Sequence, residues 1–600
     1  MRGPLRGLFS GRFGFCPRDG GRLELSGRFG GSFSRASNSA IRRSASESRI
    51  ASSAFLRSDD CNASHSARIS ASFSACDRRD RSGSSFTPPV ESYPPWSRQF
   101  TIDSTYRRTR MSRYRVAIMM PNSLQYPIAV FGTLLAGGTV VNVNPLYTAR
   151  ELNHQLRDSG AKLLVVFENF ARTAEQGLAG TAVETVVLTG IGDLLGGLKG
   201  PALNFVLRHV QKAVPKHGLR ARRFRAALAE GRRAGLRPVE LGHEDIAFLQ
   251  YTGGTTGVAK GAMLTHRNII ANVLQAFAWN GDQFHGEGVN NLTLLPLYHI
   301  FSLTVNLFMF MALGGRNVLI ANPRDTKRVM GIIRNEKFEG MAGINTLFNS
   351  FLDNEDFRRL DFSKLRLVIA GGAATQAEVA KRWQEVTGRP ISEGYGLTEC
   401  SPIVCTNPID LDHPERMSFN GTVGLPLPST EVRLRRTDGA WAGIGEAGEV
   451  CVRGPQVMRG YWQRPDETAR VLDAEGWLAT GDIGIMDERG FLRLVDRAKD
   501  MILVSGFNVY PSEIEEVVMM HPDVLEVAAF GVPDAASGER VKIVVVPRSD
   551  TLTEAELLAH CRRNLTGYKM PKIVEFRHEE LPKTPVGKIL RRELRAQHDA

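Results

Sequence analysis

The sequence predicts an α/β protein: a large N-terminal domain of parallel α/β sheet subdomains plus a β-rich subdomain, followed by a small α+β C-terminal domain. Three observations predict it. From residue 114, strand-like apolar runs alternate with helical stretches, which argues for parallel sheets with crossover helices. Between Val432 and Arg493 the pattern changes to short strands punctuated by Gly, Pro and Asp-Gly. Beyond Asp496 helices and strands alternate again in a unit of about 100 residues, the size of one compact domain. The boundaries therefore read as 114–495 for the large domain and 496–600 for the small one, with 1–113 set apart.

Taken in order, Arg115–Met120 reads as a strand stopped by Pro121-Asn122. Ile128–Ala136 is helical, Thr139–Val143 a strand, Glu151–Ser159 a helix and Leu163–Phe167 a strand. The strand pattern returns at Val318–Ala321, Gly340–Gly343 and Leu365–Ala370. Leu292 to Gly315 carries no formal charge and is long enough to span a bilayer, but Pro296, His299, Ser302 and Asn306 interrupt it. A short strand followed by a buried core helix is expected there, and no transmembrane helix. Gly190-x-Gly192 hints at a dinucleotide fingerprint, but the third glycine falls late at Gly196 and no acidic residue follows at the right distance, so it reads as a turn. In the small domain Ser512-x-x-Glu515 and Thr553-x-x-Glu556 read as capping boxes opening two helices. Val527–Val532, Val541–Val546 and Ile573–Arg577 read as strands.

Hydrophobic content of 42% and charged content of 23% exclude a wholly disordered, collagen-like or disulfide-stapled chain. Seven cysteines without paired C-x-x-C spacing favour a reducing compartment and argue against a cysteine metal site. The net charge of +13 is local. Residues 1–113 hold 20 Arg, no Lys and 9 acidic residues (+11), and Lys199–Arg237 holds 11 Lys and Arg against Glu230 (+10), which leaves −8 on the rest. Such a distribution does not suit a nucleic-acid partner. The first 113 residues, Ser- and Arg-rich with no sustained periodicity, read as a disordered tail, a transit-like leader or an out-of-frame translation. Phe205, Val206, Val210 and Val214 lie among the charges of 199–237, so this stretch reads either as a solvated face or as a peripheral contact with anionic membrane.

The strongest local signal is Tyr251-Thr-Gly-Gly-Thr-Thr-Gly-Val-Ala-Lys-Gly261, between strand-like Ile246–Gln250 and a helical pattern that starts near Ile269. Its glycines let backbone amides approach an anion, its threonines add hydroxyl donors, and Lys260 supplies a positive charge for phosphate. It is not a Walker A loop, because Ala259 precedes the lysine and Gly261 follows it. Further segments follow in order: Tyr395-Gly-Leu-Thr-Glu-Cys-Ser-Pro402, Thr480-Gly-Asp482, Asp496-Arg-Ala-Lys-Asp-Met-Ile502, Ser505-Gly-Phe-Asn-Val-Tyr-Pro511 and Pro582-Lys-Thr-Pro-Val-Gly-Lys588.

This series resembles the motifs of the adenylate-forming superfamily, which includes acyl-CoA synthetases, luciferase and the adenylation domains of peptide synthetases. Leu297–Ser302 and Met501–Glu516 look closest to bacterial long-chain fatty-acid–CoA ligases. The resemblance implies an enzyme that activates a long- or medium-chain fatty acid with ATP to acyl-AMP plus pyrophosphate, then passes the acyl group to coenzyme A. The alternatives are transfer to a carrier protein, use of an aryl acid, or an inactive product of a damaged gene. By resemblance Thr252, Gly253, Gly254, Thr255, Thr256, Gly257 and Lys260 hold the β- and γ-phosphates, and Thr398 the α-phosphate. Glu399 ligates Mg2+. Gly372, Ala373, Ala374, Tyr395 and Gly396 form the adenine slot. Asp482 binds the ribose with Arg497, and Lys588 reaches the α-phosphate. Lys499 is the hinge about which a mobile small domain rotates, bringing Ser505 and Gly506 toward the CoA channel. The catalytic set is thus Lys588, Thr256, Lys260 and Glu399, and His299 is a candidate neighbour of the acyl carboxylate. A cytoplasmic location, peripheral on the inner membrane face, and a homodimer are carried as expectations. Ala498 and Ala479 depart from the family pattern. Nothing in 1–113 resembles the folded segment that precedes a strand like Val116–Met120 in the family, so the large domain is expected to lack an edge strand and a covering helix.

Overall fold

A computed structural model describes residues 114–599 apart from 237–238, 253–258, 281–288, 412, 414–415, 535–536 and 585–586. The readings of 1–113 lie outside the described residues.

Four sheets organise the described chain. The first holds β1 (Arg115–Met119), β2 (Thr139–Val143), β3 (Leu163–Phe167), β4 (Thr185–Thr189), β5 (Arg222–Arg223), β6 (Ile246–Thr252) and β7 (Lys260–Thr265), in the order β5-β4-β3-β1-β2-β6-β7. All neighbours are parallel except the β6–β7 pair. Helices cover both faces of such a sheet, and β2 and β3 are accordingly buried at every position. The second sheet holds β8 (Asn290–Thr293), β9 (Arg316–Leu319), β10 (Gly340–Gly343), β11 (Leu367–Ala370), β12 (Ser392–Gly396), β13 (Ile403–Thr406) and β14 (Leu425–Pro426). An antiparallel sheet of β15 (Glu431–Arg435), β16 (Ala447–Arg453), β17 (Leu478–Met486) and β18 (Leu492–Arg497) is the expected β-rich part. The last sheet, β19 (Ile502–Val504), β20 (Phe507–Val509), β21 (Val524–Asp534), β22 (Gly538–Pro547) and β23 (Ile573–Phe576), has its own apolar core around Ile514, Val527 and Ile543.

The first two sheets are stapled together where the site lies. Asn122 Nδ2 donates to the carbonyls of Thr293 and Leu295 at 3.2 and 2.9 Å, and its Oδ1 accepts from Leu297 N at 2.8 Å. The Tyr126 hydroxyl lies 2.7 Å from Asn142 Oδ1 and 2.8 Å from the Leu297 carbonyl. Gln250 Nε2 donates to the Tyr298 carbonyl at 2.8 Å. These side chains are buried, and Asn122, Tyr126 and Gln250 each reach a backbone group of the 293–298 segment across the gap.

Several elements differ from the sequence reading. The helix expected at Ile128–Ala136 runs Gln125–Leu135, and the strands expected at Val318–Ala321 and Leu365–Ala370 are Arg316–Leu319 and Leu367–Ala370. The uncharged stretch 292–315 is a strand followed by a buried helix, as expected, but Ser302–Met309 is wound as a π-helix that then tightens over Phe310–Ala312. Among the described residues no helix is long and apolar enough to cross a membrane. The Thr553–Glu556 capping box is present. Its expected counterpart at Ser512–Glu515 is not: the helix Pro511–Met519 starts with Tyr510 as N-cap and no side-chain cap. Pro511 removes one amide that would need an acceptor, and Asp496 Oδ2 takes the Ser512 amide at 2.7 Å from outside the helix. Glu515 is instead bound by Arg591, whose guanidinium also reaches Asp496 at 3.0 Å and Asp500 at 3.6 Å. A capping box at Thr148–Glu151 opens the helix Ala149–Ser159.

Asp496 and Glu515 share a single guanidinium, so removing it leaves two largely shielded carboxylates with backbone amides and no cation. Arg591→Leu is expected to cost about 3 kcal/mol, read by urea denaturation followed by circular dichroism.

Candidate active site

The phosphate-loop stem is β6 and β7, with Thr252 paired to Lys260 across the ladder. Gly253, Gly254, Thr255, Thr256 and Gly257 lie outside the described residues. The Tyr251 hydroxyl donates to Asp158 Oδ2 at 2.6 Å, and Trp462 Nε1 to the Asp158 carbonyl at 3.1 Å. The Arg115 guanidinium stacks on Trp462, 5.0 Å from the ring centre. Residues 459–462 run antiparallel to β7, through Met263 N to Gly460 O (2.9 Å), Arg459 N to Met263 O (3.0 Å) and Trp462 N to Gly261 O (2.7 Å). That register sets Tyr461 beside the loop. Its ring centre is 5.2 Å from Lys260 Nζ, and its hydroxyl donates to Glu399 Oε1 at 2.7 Å. The lysine predicted for phosphate and the carboxylate predicted for metal thus share one tyrosine. Lys260 is also paired with Glu467, on the short helix Pro465–Ala469.

The predicted ribose aspartate is buried on β17. Asp482 Oδ2 accepts from the Tyr395 hydroxyl at 2.7 Å, and Oδ1 faces Arg497 Nε of the neighbouring strand at 3.0 Å. A carboxylate has about four lone-pair positions, so both bonds leave acceptor capacity for a diol. Tyr395 and Gly396 end β12, and Thr398 and Glu399 follow in a single 3₁₀ turn. Gly372, Ala373 and Ala374 form the loop after β11, held by Thr375 N donating to Glu393 Oε1 at 2.8 Å. Burial pushes the Glu393 carboxyl up to about 7, against the pull of that amide.

A cavity opens beside these pieces. Gly372, Tyr395, Gly396 and Thr398 line it together with apolar Val305, Met309, Ala276 and Ile369. His299 is part of the same lining. Burial pulls its pKa down to about 4, so the imidazole is neutral at pH 7. Nδ1 accepts from Phe301 N at 3.3 Å, which leaves the proton on Nε2.

The C-terminal residues meet the second sheet's loops nearby, after β10. The Gly587 carbonyl accepts from Thr346 Oγ1 at 3.3 Å. Gly587 has φ +84°, and a β-carbon there would sit 2.5 Å from Ile344 Cδ1, so only glycine permits this approach. Lys588 follows, its amine drawn down to about 8 by the surrounding protein and then by the Arg497 charge, with Asp482 pulling the other way. Lys499 is depressed by the same two causes, with Lys260 adding to them. Lys260, Asp482, Arg497, Lys499 and Lys588 therefore form one electrostatic neighbourhood. Ser505 and Gly506 are not part of it. They form the exposed two-residue tip of the β19–β20 hairpin, both at positive φ, and Ser505 N is held by the Ser537 carbonyl at 2.7 Å.

Comparison with known proteins fixes the family. The profile of the AMP-binding enzyme matches residues 111–462, and that of the AMP-binding enzyme C-terminal domain matches 513–588. The chain belongs to the AMP-binding enzyme family. Among curated members it is 57% identical to a long-chain-fatty-acid–CoA ligase of Escherichia coli O157:H7 over 482 residues, which is 80% of this chain and 85% of the relative. It is 39% identical to the enzyme of the same name from Bacillus subtilis, with 80% and 85% covered. The solved structure of ATP-bound MatB from Rhodopseudomonas palustris superimposes with a TM-score of 0.69 at 29% identity, covering 81% of this chain and 88% of that one. In this AMP-binding enzyme, as among its relatives, the mixed α/β architecture is that of adenylating enzymes.

Sequence reasoning missed Glu393, Tyr461, Trp462, Glu467 and Asp158. Pro465 followed by two acidic residues signals a helix start and marks Glu467 as a first-turn acid, but its partner 207 positions earlier has no local signature.

Glu393 gives a pH test. Its folded pKa is raised above the ordinary carboxylate value, so its stabilisation is complete below pH 4.5 and is lost as pH rises through about 7. Glu393→Gln is expected to flatten the fall in melting temperature between those two values, read by calorimetry across that range.

Proposed function

We propose that the chain activates a long-chain fatty acid with ATP and then transfers it to coenzyme A. The observation that carries this reading is the cavity in which the Tyr395–Thr398 motif and His299 share a lining with apolar Val305, Met309 and Ile369, with Lys588 coupled electrostatically to Asp482 and Arg497 beside Tyr395. The curated relatives named long-chain-fatty-acid–CoA ligase support the substrate class.

In the first step an oxygen of the fatty carboxylate attacks the ATP α-phosphorus, and the bond to the bridging β-phosphate oxygen breaks, releasing pyrophosphate. In the second, the CoA sulfur attacks the acyl carbon, the bond to AMP breaks, and the thiol proton leaves. Neither step needs a protein nucleophile, so the side chains position and stabilise charge. Lys260 and Thr252 meet the β- and γ-phosphates, Thr398 and Lys588 the α-phosphate, and Asp482 with Arg497 the ribose. Gly372–Ala374 and Tyr395 flank the adenine. Glu399 fits magnesium: a single hard carboxylate, oriented by Tyr461, matches an ion that takes one or two protein carboxylates plus phosphates. Bound magnesium supplies charge neutralisation of the departing pyrophosphate. His299 is a neutral Nε2–H donor for the acyl carboxylate. With Lys588 docked through Gly587, this orientation suits the first step. Rotation of residues 500–600 about Lys499 would then withdraw Lys588 and bring the Ser505–Gly506 tip to the cleft for the second.

Residues 199–237 favour peripheral membrane contact. Leu198, Phe205 and Val210 are 87%, 60% and 67% exposed beside a surplus of positive charge. Part of that charge is structural, because Arg208 pairs with the buried Glu168 at 2.6 Å.

The reading is tested by pyrophosphate release from ATP with palmitate, with and without CoA. Acid-dependent release accelerated by CoA is expected, and no release from folded protein would overturn it. Lys588→Ala is expected to slow release about 100-fold, and the parent rate to fall as pH rises through about 8, where the free amine loses its proton. Gly587→Ala, which blocks docking against Ile344, is expected to slow release about 100-fold as well, with the melting temperature little changed.

A further inference from the structure

Lys260 already has an anion. Its ammonium is paired with Glu467 and seated over the Tyr461 ring, with both partners about three-quarters shielded from solvent. Lys260 in turn holds the Glu467 carboxyl below the usual carboxylate range. The same carboxylate has a second cation within reach, Arg464, whose Nε lies 3.9 Å from Oε1. On the other side of Tyr461 stands a second carboxylate, Glu399. A phosphate chain arriving at Lys260 would therefore meet two carboxylates, one of them occupying the ammonium it needs, and like charges at that range repel.

We propose that Glu467 is the resting counter-ion of Lys260, so that a nucleotide binds by exchanging its phosphate oxygens for this carboxylate. The exchange leaves no charge stranded, because Glu467 passes to Arg464 as Lys260 passes to phosphate. Glu467 is then a positioning residue: it keeps the lysine extended over Tyr461 until nucleotide arrives, at the expense of nucleotide affinity. The inference rests on Lys260 being a phosphate ligand.

The experiment is calorimetric titration of the full chain with ATP and with ADP, without fatty acid, for the parent, Glu467→Gln, Lys260→Met and the double variant, at low and moderate salt. Glu467→Gln is expected to bind both nucleotides about fivefold more tightly, with the KM for ATP in pyrophosphate release changing more than kcat. The gain is expected to vanish on the Lys260→Met background. Unchanged or weaker binding by folded Glu467→Gln, or an equal gain without Lys260, would overturn the proposal. If the glutamine variant does not fold, Glu467→Ala removes the same charge from an exposed helix and answers the same question. If Lys260→Met binds ATP as the parent does, the phosphate role of Lys260 fails, an outcome separate from failure of the exchange.

Discussion

A site that must hold a triphosphate has to assemble positive charge before its ligand arrives, and like charges in a cleft repel. Lys260, Arg497, Lys499 and Lys588 converge here, and both Lys499 and Lys588 are drawn below an ordinary lysine, first by burial and then by the Arg497 charge. The surrounding structure is arranged to make that concentration tolerable. Asp482 faces Arg497, Glu467 faces Lys260, and Asp496, Asp500 and Glu515 surround Arg591. Lys260, Arg497 and Arg591 are each matched by a carboxylate on a different element, so these pairs also fix how the elements meet.

The supports behind these charges are of two kinds. The stem of the phosphate loop is held by aromatic and hydrogen-bonding contacts that need no counter-ion: Tyr251 on Asp158, Trp462 under Arg115, and the 459–462 segment zipped to β7. The segment carrying Lys588 touches the second sheet's side through a glycine carbonyl and a threonine hydroxyl, and Arg548 of the same C-terminal unit pairs with Asp353 at 3.1 Å. The proposed withdrawal of Lys588 would have to break these contacts and remake them each cycle.

Much of this was legible in the sequence. Continuous apolar runs such as Leu163–Phe167 give strands that are buried on both faces, and the switch to Gly-punctuated strands after Val432 marks a real antiparallel sheet. The motif residues Lys260, Tyr395, Asp482, Arg497 and Lys588 do gather in one place. What the sequence hid is whatever depends on a distant partner. Ser512 and Glu515 have capping-box spacing, yet Arg591 and Asp496 claim them, because a buried guanidinium outcompetes a local turn for a carboxylate. Glu393 and Tyr461 carry no pattern of their own, and their meaning comes from Thr375 and Glu399 arriving beside them. Ser302–Met309 reads as an ordinary core helix, because a wider turn has no composition that distinguishes it from an α-helix.

The hydrogen bonds by which Asn122, Tyr126 and Gln250 grip the 293–298 segment have a mechanical meaning. They weld the shelf leading to His299 onto the first sheet, so the bed proposed for an acyl tail would not travel with the wall proposed to move. On the proposed rotation the enzyme would be a lathe with a fixed bed and a sliding tool: tail length would be gauged by parts that stay still, and turnover timed by parts that slide. A lineage could therefore recut the bed at Val305 or Met309 for a longer or shorter tail without retiming the slide.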